Sequence, residues 1–196
     1  MKRIKLDYKD TAILLFILVT AAWRILVSTG VEFSASAMST FTPIGAMALF
    51  GGAYLGRAKG LAFPLLTLWL SDIVLNKLVF YGEWRLFYED FAWTYGAFAL
   101  MVVVGRWMKS NKSVARFLGS SLIIVFIHWI VTDIGVWLGS TIYPQTLAGF
   151  WACLVAAIPY EQNFLAGTLI YGTILFGAFE WIKLRLPELQ TSTLEV

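Results

Sequence analysis

The chain of 196 residues is poor in most of what soluble chemistry uses. Charged residues make up 14% of it, and it has one cysteine and one histidine. A soluble domain carries about 25% charge and about 45–50% apolar residues. Here 59% of residues are hydrophobic and the mean hydropathy is +0.75, so the scarcity of charge excludes a soluble fold. The lone Cys153 excludes an internal disulfide and any CxxC metal motif, and the lone His128 excludes a histidine-rich zinc site. No GxSxG, HExxH or GxxxxGK motif occurs, so neither an enzyme nor a cofactor is expected. The net charge of +3 comes from Lys and Arg scattered among apolar runs, which makes no patch for nucleic acid. Nine Trp, eight Tyr and fifteen Phe exclude disorder.

What the chain does have is long apolar runs, and its basic residues sort them. Spans are expected over 11–28, 41–56, 61–80, 91–108, 113–138 and 164–182, forming a single membrane domain over 1–196. Lys2, Arg3, Lys5 and Lys9 precede the first span, and Arg57 and Lys59 separate the second from the third. Arg106, Lys109, Lys112 and Arg116 separate the fourth from the fifth, and Lys183 and Arg185 follow the last. With six spans and both termini in the cytoplasm, all of these face the cytoplasm, as the positive-inside rule requires. The run 147–160 is expected not to cross, because it is short for a span and a seventh crossing would put Lys183 and Arg185 outside. It reads as a short re-entrant or interfacial helix, 147–158, in the last outer loop, acting either as a lid or as a plug. The expected fold is therefore an all-α integral membrane protein with six transmembrane helices and both termini inside.

Ala48, Gly52, Gly56 and Gly60 recur every four residues and form a smooth ridge for close backbone approach. The ridge serves either packing inside the monomer or a protein partner.

Charges inside hydrocarbon cost about 2.5 to 3.5 kcal/mol at a helix centre, so each needs a reason. Arg24, Asp72 and His128 lie on three different helices, roughly 17 to 20 Å above their inner ends, and so converge in the outer half. His128 and Asp133 point about 140° apart on one helix and cannot form a dyad. Asp133 shares its face with Trp129 and Trp137, and Trp69, Asp72 and Asn76 share another. Trp93 and Tyr95 supply aromatic walls. The candidate ligand site is thus Arg24, Asp72, Asn76, Trp93, Tyr95, His128, Asp133 and Trp137. The competing reading is a structural Arg24–Asp72 ion pair, with His128 bonded to a backbone carbonyl or Thr132. Proton-coupled transport through Asp72 or Asp133 is a third. Glu180 and Lys183 read as an interfacial pair, and Cys153 as a small buried hydrophobe.

Several blocks carry a family resemblance: Phe41-Thr-Pro-Ile-Gly-Ala-Met-Ala-Leu-Phe-Gly-Gly-Ala-Tyr54, Leu70-Ser-Asp-Ile73, Tyr95-Gly-Ala-Phe98 and Thr132-Asp-Ile-Gly-Val-Trp137. Tyr143-Pro-Gln-Thr-Leu-Ala-Gly149, Ala156-Ala-Ile-Pro159 and Asn163-Phe-Leu-Ala-Gly167 continue it. Together they resemble an uncharacterised bacterial membrane family that is similar to the S components of energy-coupling-factor vitamin transporters. Among characterised proteins they are similar to the solitary cobalamin transporters of the BtuM kind. The resemblance implies a six-helix bundle in the bacterial inner membrane, holding a vitamin-like micronutrient, cobalamin or a related corrinoid, in a pocket open to the outside. His128 or Cys153 would ligate a metal only if the ligand is a corrinoid. Many S components carry an Ala-xxx-Ala face on the first helix, but here Phe16 follows Ala12 and Ile25 follows Ala21 at that spacing. The protein then either works alone or meets an energising ATPase module through the 48–60 ridge. Two alternatives of other classes are a structural or assembly subunit without a ligand, and an intramembrane enzyme using His128.

Overall fold

The computed structural model describes residues 8–29 and 37–185; Lys2, Arg3, Lys5 and Glu32 lie outside the described residues. The described chain is helical, with no strand among these residues: α1 (Tyr8–Thr29), α2 (Ile44–Tyr54), α3 (Arg57–Leu75), α4 (Phe91–Trp107), α5 (Val114–Gly139) and α6 (Leu147–Arg185). A π turn over Asn76–Phe80 prolongs α3, and short 3-10 turns at Ala37–Thr40 and Met108–Ser110 precede α2 and follow α4. Four helical segments are long and apolar enough to cross a membrane: Arg57–Phe80, Phe91–Ser110, Val114–Gly139 and Leu147–Arg185. The described apolar part of α1, Ile13–Thr29, and α2 are shorter. Large apolar side chains such as Leu15, Leu26, Phe126, Ile130, Val155 and Ile174 stand exposed on the outside of the bundle, which suits lipid and not water.

Contacts along the helices show that their directions alternate. Phe16 meets Phe63 and Arg24 meets Asp72, so α1 and α3 run the same way. Asp72 meets Tyr95, whereas Arg57 near the start of α3 accepts from Arg106 near the end of α4, so this pair is antiparallel. We call the end that holds the 81–90 and 140–146 connections the upper end. The α2–α3 and α4–α5 connections, with Arg57, Lys109 and Lys112, form the lower end. Ser113 caps α5 there by accepting the Arg116 N–H at 3.3 Å.

α2 is apolar on every side and is the centre of the bundle. Ile44 through Ala53 are all buried, with α4, α3 and α6 packed around them. The small residues set how close these neighbours come. A Cβ on Gly52 would lie 2.2 Å from the Val102 carbonyl oxygen, and one on Gly105 would lie 2.4 Å from that of Leu49. Likewise a Cβ on Gly51 would lie 2.7 Å from the Gly60 carbonyl oxygen. That carbonyl lacks its usual helical donor, because Pro64 stands four residues on and has no N–H. Ala48, Gly52 and Gly60 of the small-residue ridge are therefore used inside the monomer, while Gly56 caps the start of α3.

The largest difference from the sequence reading is α6. The stretch 147–158, expected as a separate short outer helix, and the span 164–182 are one helix of 39 residues. At 1.5 Å per residue it is about 58 Å long. Its contacts explain the length. Cys153 and Leu154 meet Asp133 and Trp129, Glu161 meets His128, and Gly172 meets Phe117, so α6 runs antiparallel along all of α5. Its last turns then pass beneath α2, where Phe176 and Phe179 pack on Phe50 and Tyr54. There the Tyr54 hydroxyl donates to Glu180, which also pairs with Lys183 at 3.2 Å, the i,i+3 pair expected from the sequence. The polar run Glu161-Gln162-Asn163 does not break the helix. Glu161 turns inward to a partner, and Asn163 donates to the carbonyl of Pro159 at 2.9 Å.

A polar clasp fastens α1 to the bundle. Arg24 donates to Asp72 at 2.5 Å and to Ser71 at 2.6 Å, and Tyr95 donates to the other Asp72 oxygen at 3.0 Å. The Asp72 side chain is 4% exposed, so removing either charge strands the other in the bundle.

Two predictions follow from this packing. Gly52→Leu forces α2 and α4 apart and prevents a folded monomer, while Gly52→Ala costs about 1–3 kcal/mol by overpacking. Thermal unfolding in detergent with size-exclusion analysis checks both. A folded Gly52→Leu monomer that has lost only an assembly would mean the ridge faces a partner. Asp72→Ala costs about 3–5 kcal/mol, and replacing Arg24 and Asp72 together by Leu recovers much of that loss. A double-mutant cycle on unfolding free energy reads the difference.

Candidate functional site

A cavity of about 330 Å³ lies between the upper halves of α5 and α6. α5 contributes His128, Thr132 and Val136, which fall one turn apart on one face, and Asp133 beside Thr132; α6 contributes Cys153, Ala156, Ala157, Tyr160 and Glu161. Thr40, just before α2, and Tyr143, from the α5–α6 connection, close the upper side. The volume sits at the lower end of the roughly 300–1,000 Å³ typical of small-molecule sites.

The chemistry of the wall centres on three ionisable side chains. His128 Nδ1 lies 2.7 Å from Glu161 Oε1. Its ring stacks on Phe164, with centroids 4.4 Å apart, and meets the edge of Phe98. Thr132 does not bond the imidazole but donates to the His128 backbone carbonyl, which leaves the ring to Glu161. Asp133 accepts a long contact from the Cys153 thiol at 3.7 Å. The second oxygens of both acids, Asp133 Oδ2 and Glu161 Oε2, are buried and have no hydrogen-bond partner among the described residues, and both residues are only 6% exposed.

The eight residues expected to share one site are divided. His128 and Asp133 line the cavity; Arg24, Asp72 and Tyr95 form the clasp on the other side of α4. Phe98, one turn from Tyr95 on α4, stands between the two groups against the His128 ring. Asn76 is buried at the top of α3 and donates to the Arg85 carbonyl at 3.0 Å, which ties down the 81–90 connection. In that connection, burial and the Asp72 charge push the Tyr88 phenol up to about 12, so it stays protonated. Trp93 packs on α5 where Gly135 leaves room, because a Cβ there would lie 2.6 Å from its ring. Trp137 lies beside the cavity's upper rim: its indole N–H donates to the Pro144 carbonyl, and Gln145 donates to the Trp137 carbonyl. These bonds hold the connection that carries Tyr143.

Glu161 is the residue that the sequence reading missed. It follows Pro159 in a short polar run and so looks like part of a loop, although its distance from Cys153, eight residues or just over two turns, places both on one helical face. Cys153, read as a buried hydrophobe, is buried, yet it also belongs to the cavity wall. Among the described residues no group of three or more His, Cys, Asp or Glu is placed to hold a metal ion.

No curated protein and no solved structure matches the chain. A family model matches residues 5–189, nearly the whole of it. The chain therefore belongs to that family, the family of unknown function DUF6580.

Proposed function

We propose that this protein is a membrane-embedded substrate-binding protein for uptake of a small vitamin-like micronutrient, with the α5–α6 cavity as its seat. The observation that carries this reading is the pair of carboxylate oxygens, Asp133 Oδ2 and Glu161 Oε2, buried at the cavity wall without partners. A buried polar group left unsatisfied costs about 1–3 kcal/mol, more for a charged one, and a bound ligand removes that cost. The reading of an assembly subunit has less support, since the small-residue ridge is enclosed within the bundle.

The proposal includes a six-pass topology in the bacterial inner membrane with both termini cytoplasmic. It is supported by the alternating helix directions and by the basic residues at the lower end. α2 is about 16 Å long, and it reaches the upper side through the segment before it, shielded from lipid by its neighbours. The upper end, with the cavity, then faces outward. The cavity volume favours a ligand much smaller than a corrinoid, although Cys153 and His128 in its wall are donors of the kind a cobalt centre uses. The chain works alone or docks on an energising ATPase module.

The test is purification in mild detergent, with mass spectrometry of the small molecules in the denatured extract. The expected result is one molecule per chain, or a rise in melting temperature with a member of a vitamin and micronutrient panel. Asp133→Asn should weaken that binding about tenfold or more while the bundle stays folded. An empty protein that no member of the panel stabilises would overturn the reading.

A further inference from the structure

The charge of the cavity wall specifies its ligand class. We infer that the cavity takes a small organic cation, an ammonium group carried on a largely apolar body. This inference deepens the proposal above and rests on the same site.

The acids Asp133 and Glu161 line the cavity from α5 and α6, and among the described residues the only basic side chain lining it is His128. Two carboxyls thus face a single imidazole, and His128 pairs with Glu161, which leaves Asp133 with no basic partner among the described residues. Among the described residues no Lys or Arg lines the cavity. The Arg24 guanidinium is engaged by Asp72 and Ser71 in the clasp. Each acid also keeps a buried oxygen without a donor, and an ammonium group carries up to three N–H donors to supply it. An anion would meet the opposite of what it needs, since carboxylates offer it acceptors only. A bare metal ion is a poorer fit, because no three ligating side chains converge among the described residues. Val136, Ala156 and Ala157 supply apolar wall, and the rings of Tyr143 and Tyr160 suit a cation with an organic body.

Cys153 makes a direct test available, because it is the only thiol in the chain and lies in the wall. The full-length protein in detergent is treated with three methanethiosulfonates: aminoethyl (cationic), sulfonatoethyl (anionic) and methyl (neutral). Each rate is divided by that of the same reagent with a free thiol. The cationic reagent should then react about tenfold or more faster than the anionic one, as in clefts of one charge sign. Glu161→Gln should bring the ratio down. A ratio near one, or a faster anion, would overturn the inference. If the thiol is silent even to the neutral reagent, melting temperature decides. A rise with 2-phenylethylammonium chloride and none with 2-phenylethanol supports the inference, and equal or absent shifts overturn it. The two proposals fail separately. A cation-selective cavity in a protein that never holds a native molecule defeats the uptake reading alone, and a co-purified anion or neutral molecule defeats the cation alone.

Discussion

The approach of α2 to α4, backbone against backbone at Gly52 and Gly105, is the contact on which the rest of the bundle depends. Lipid is as apolar as leucine, so helices in a bilayer gain little by hiding apolar side chains from it. What holds them is close packing, and close packing needs small residues where the axes cross. α2 supplies them on more than one side: Gly51 toward the Gly60 carbonyl, Gly52 toward Val102, and Gly45 toward Thr168 and Phe164. A short helix that could not cross a bilayer unaided becomes the axis around which α3, α4 and α6 are arranged. Their register then fixes where polar groups on the outer helices meet.

The clasp and the α5–α6 cavity are satisfied to different degrees. In the clasp, each Asp72 oxygen has a donor, one from Arg24 and one from Tyr95, and Ser71 takes a further Arg24 proton. Nothing there calls for a ligand. At the α5–α6 cavity, the His128–Glu161 pair and the Cys153 contact use one oxygen of each acid and leave the other bare. Buried polar groups in folded proteins are rarely left this way; Trp69 Nε1, Ser120 Oγ and Thr168 Oγ1 share the condition elsewhere, but only at the cavity do two carboxylate oxygens show it together. The clasp thus satisfies its own polar groups, whereas the cavity wall does not.

Much of the fold is legible in the sequence where long apolar runs are bounded by charge. The runs 61–80, 91–108 and 113–138 end within about two residues of the α3 unit, the α4 unit and α5, apart from the start of α3, which reaches back to Arg57. The Arg24–Asp72 pairing was also open to sequence reasoning, since charges at equal depth in hydrocarbon seek each other. Helix rotation was not legible. Depth along a helix follows from counting residues, but which neighbour a side chain faces is set by packing around α2. Tyr95 and His128 thus lie at a similar depth and face different partners. The 147–160 stretch differs for a related reason: its length and the placement of Lys183 and Arg185 point to a separate outer helix, whereas Glu161 finds a partner on α5 and the helix runs on to Arg185.

The continuity of α6 bears on how the cavity works. Glu161 and Cys153 sit in the wall on the upper half of a helix whose lower turns carry Phe176, Phe179 and Glu180 against the end of α2. A loop between 147–158 and 164–182 would have let the outer piece move by itself. A single helix does not, so displacement of Glu161 from His128 is transmitted to the Tyr54–Glu180 contact at the opposite end. Pro159 removes one N–H from α6 above Glu161, so the turns that carry Cys153 are freer to shift while the coupling from Glu161 down to Glu180 stays whole.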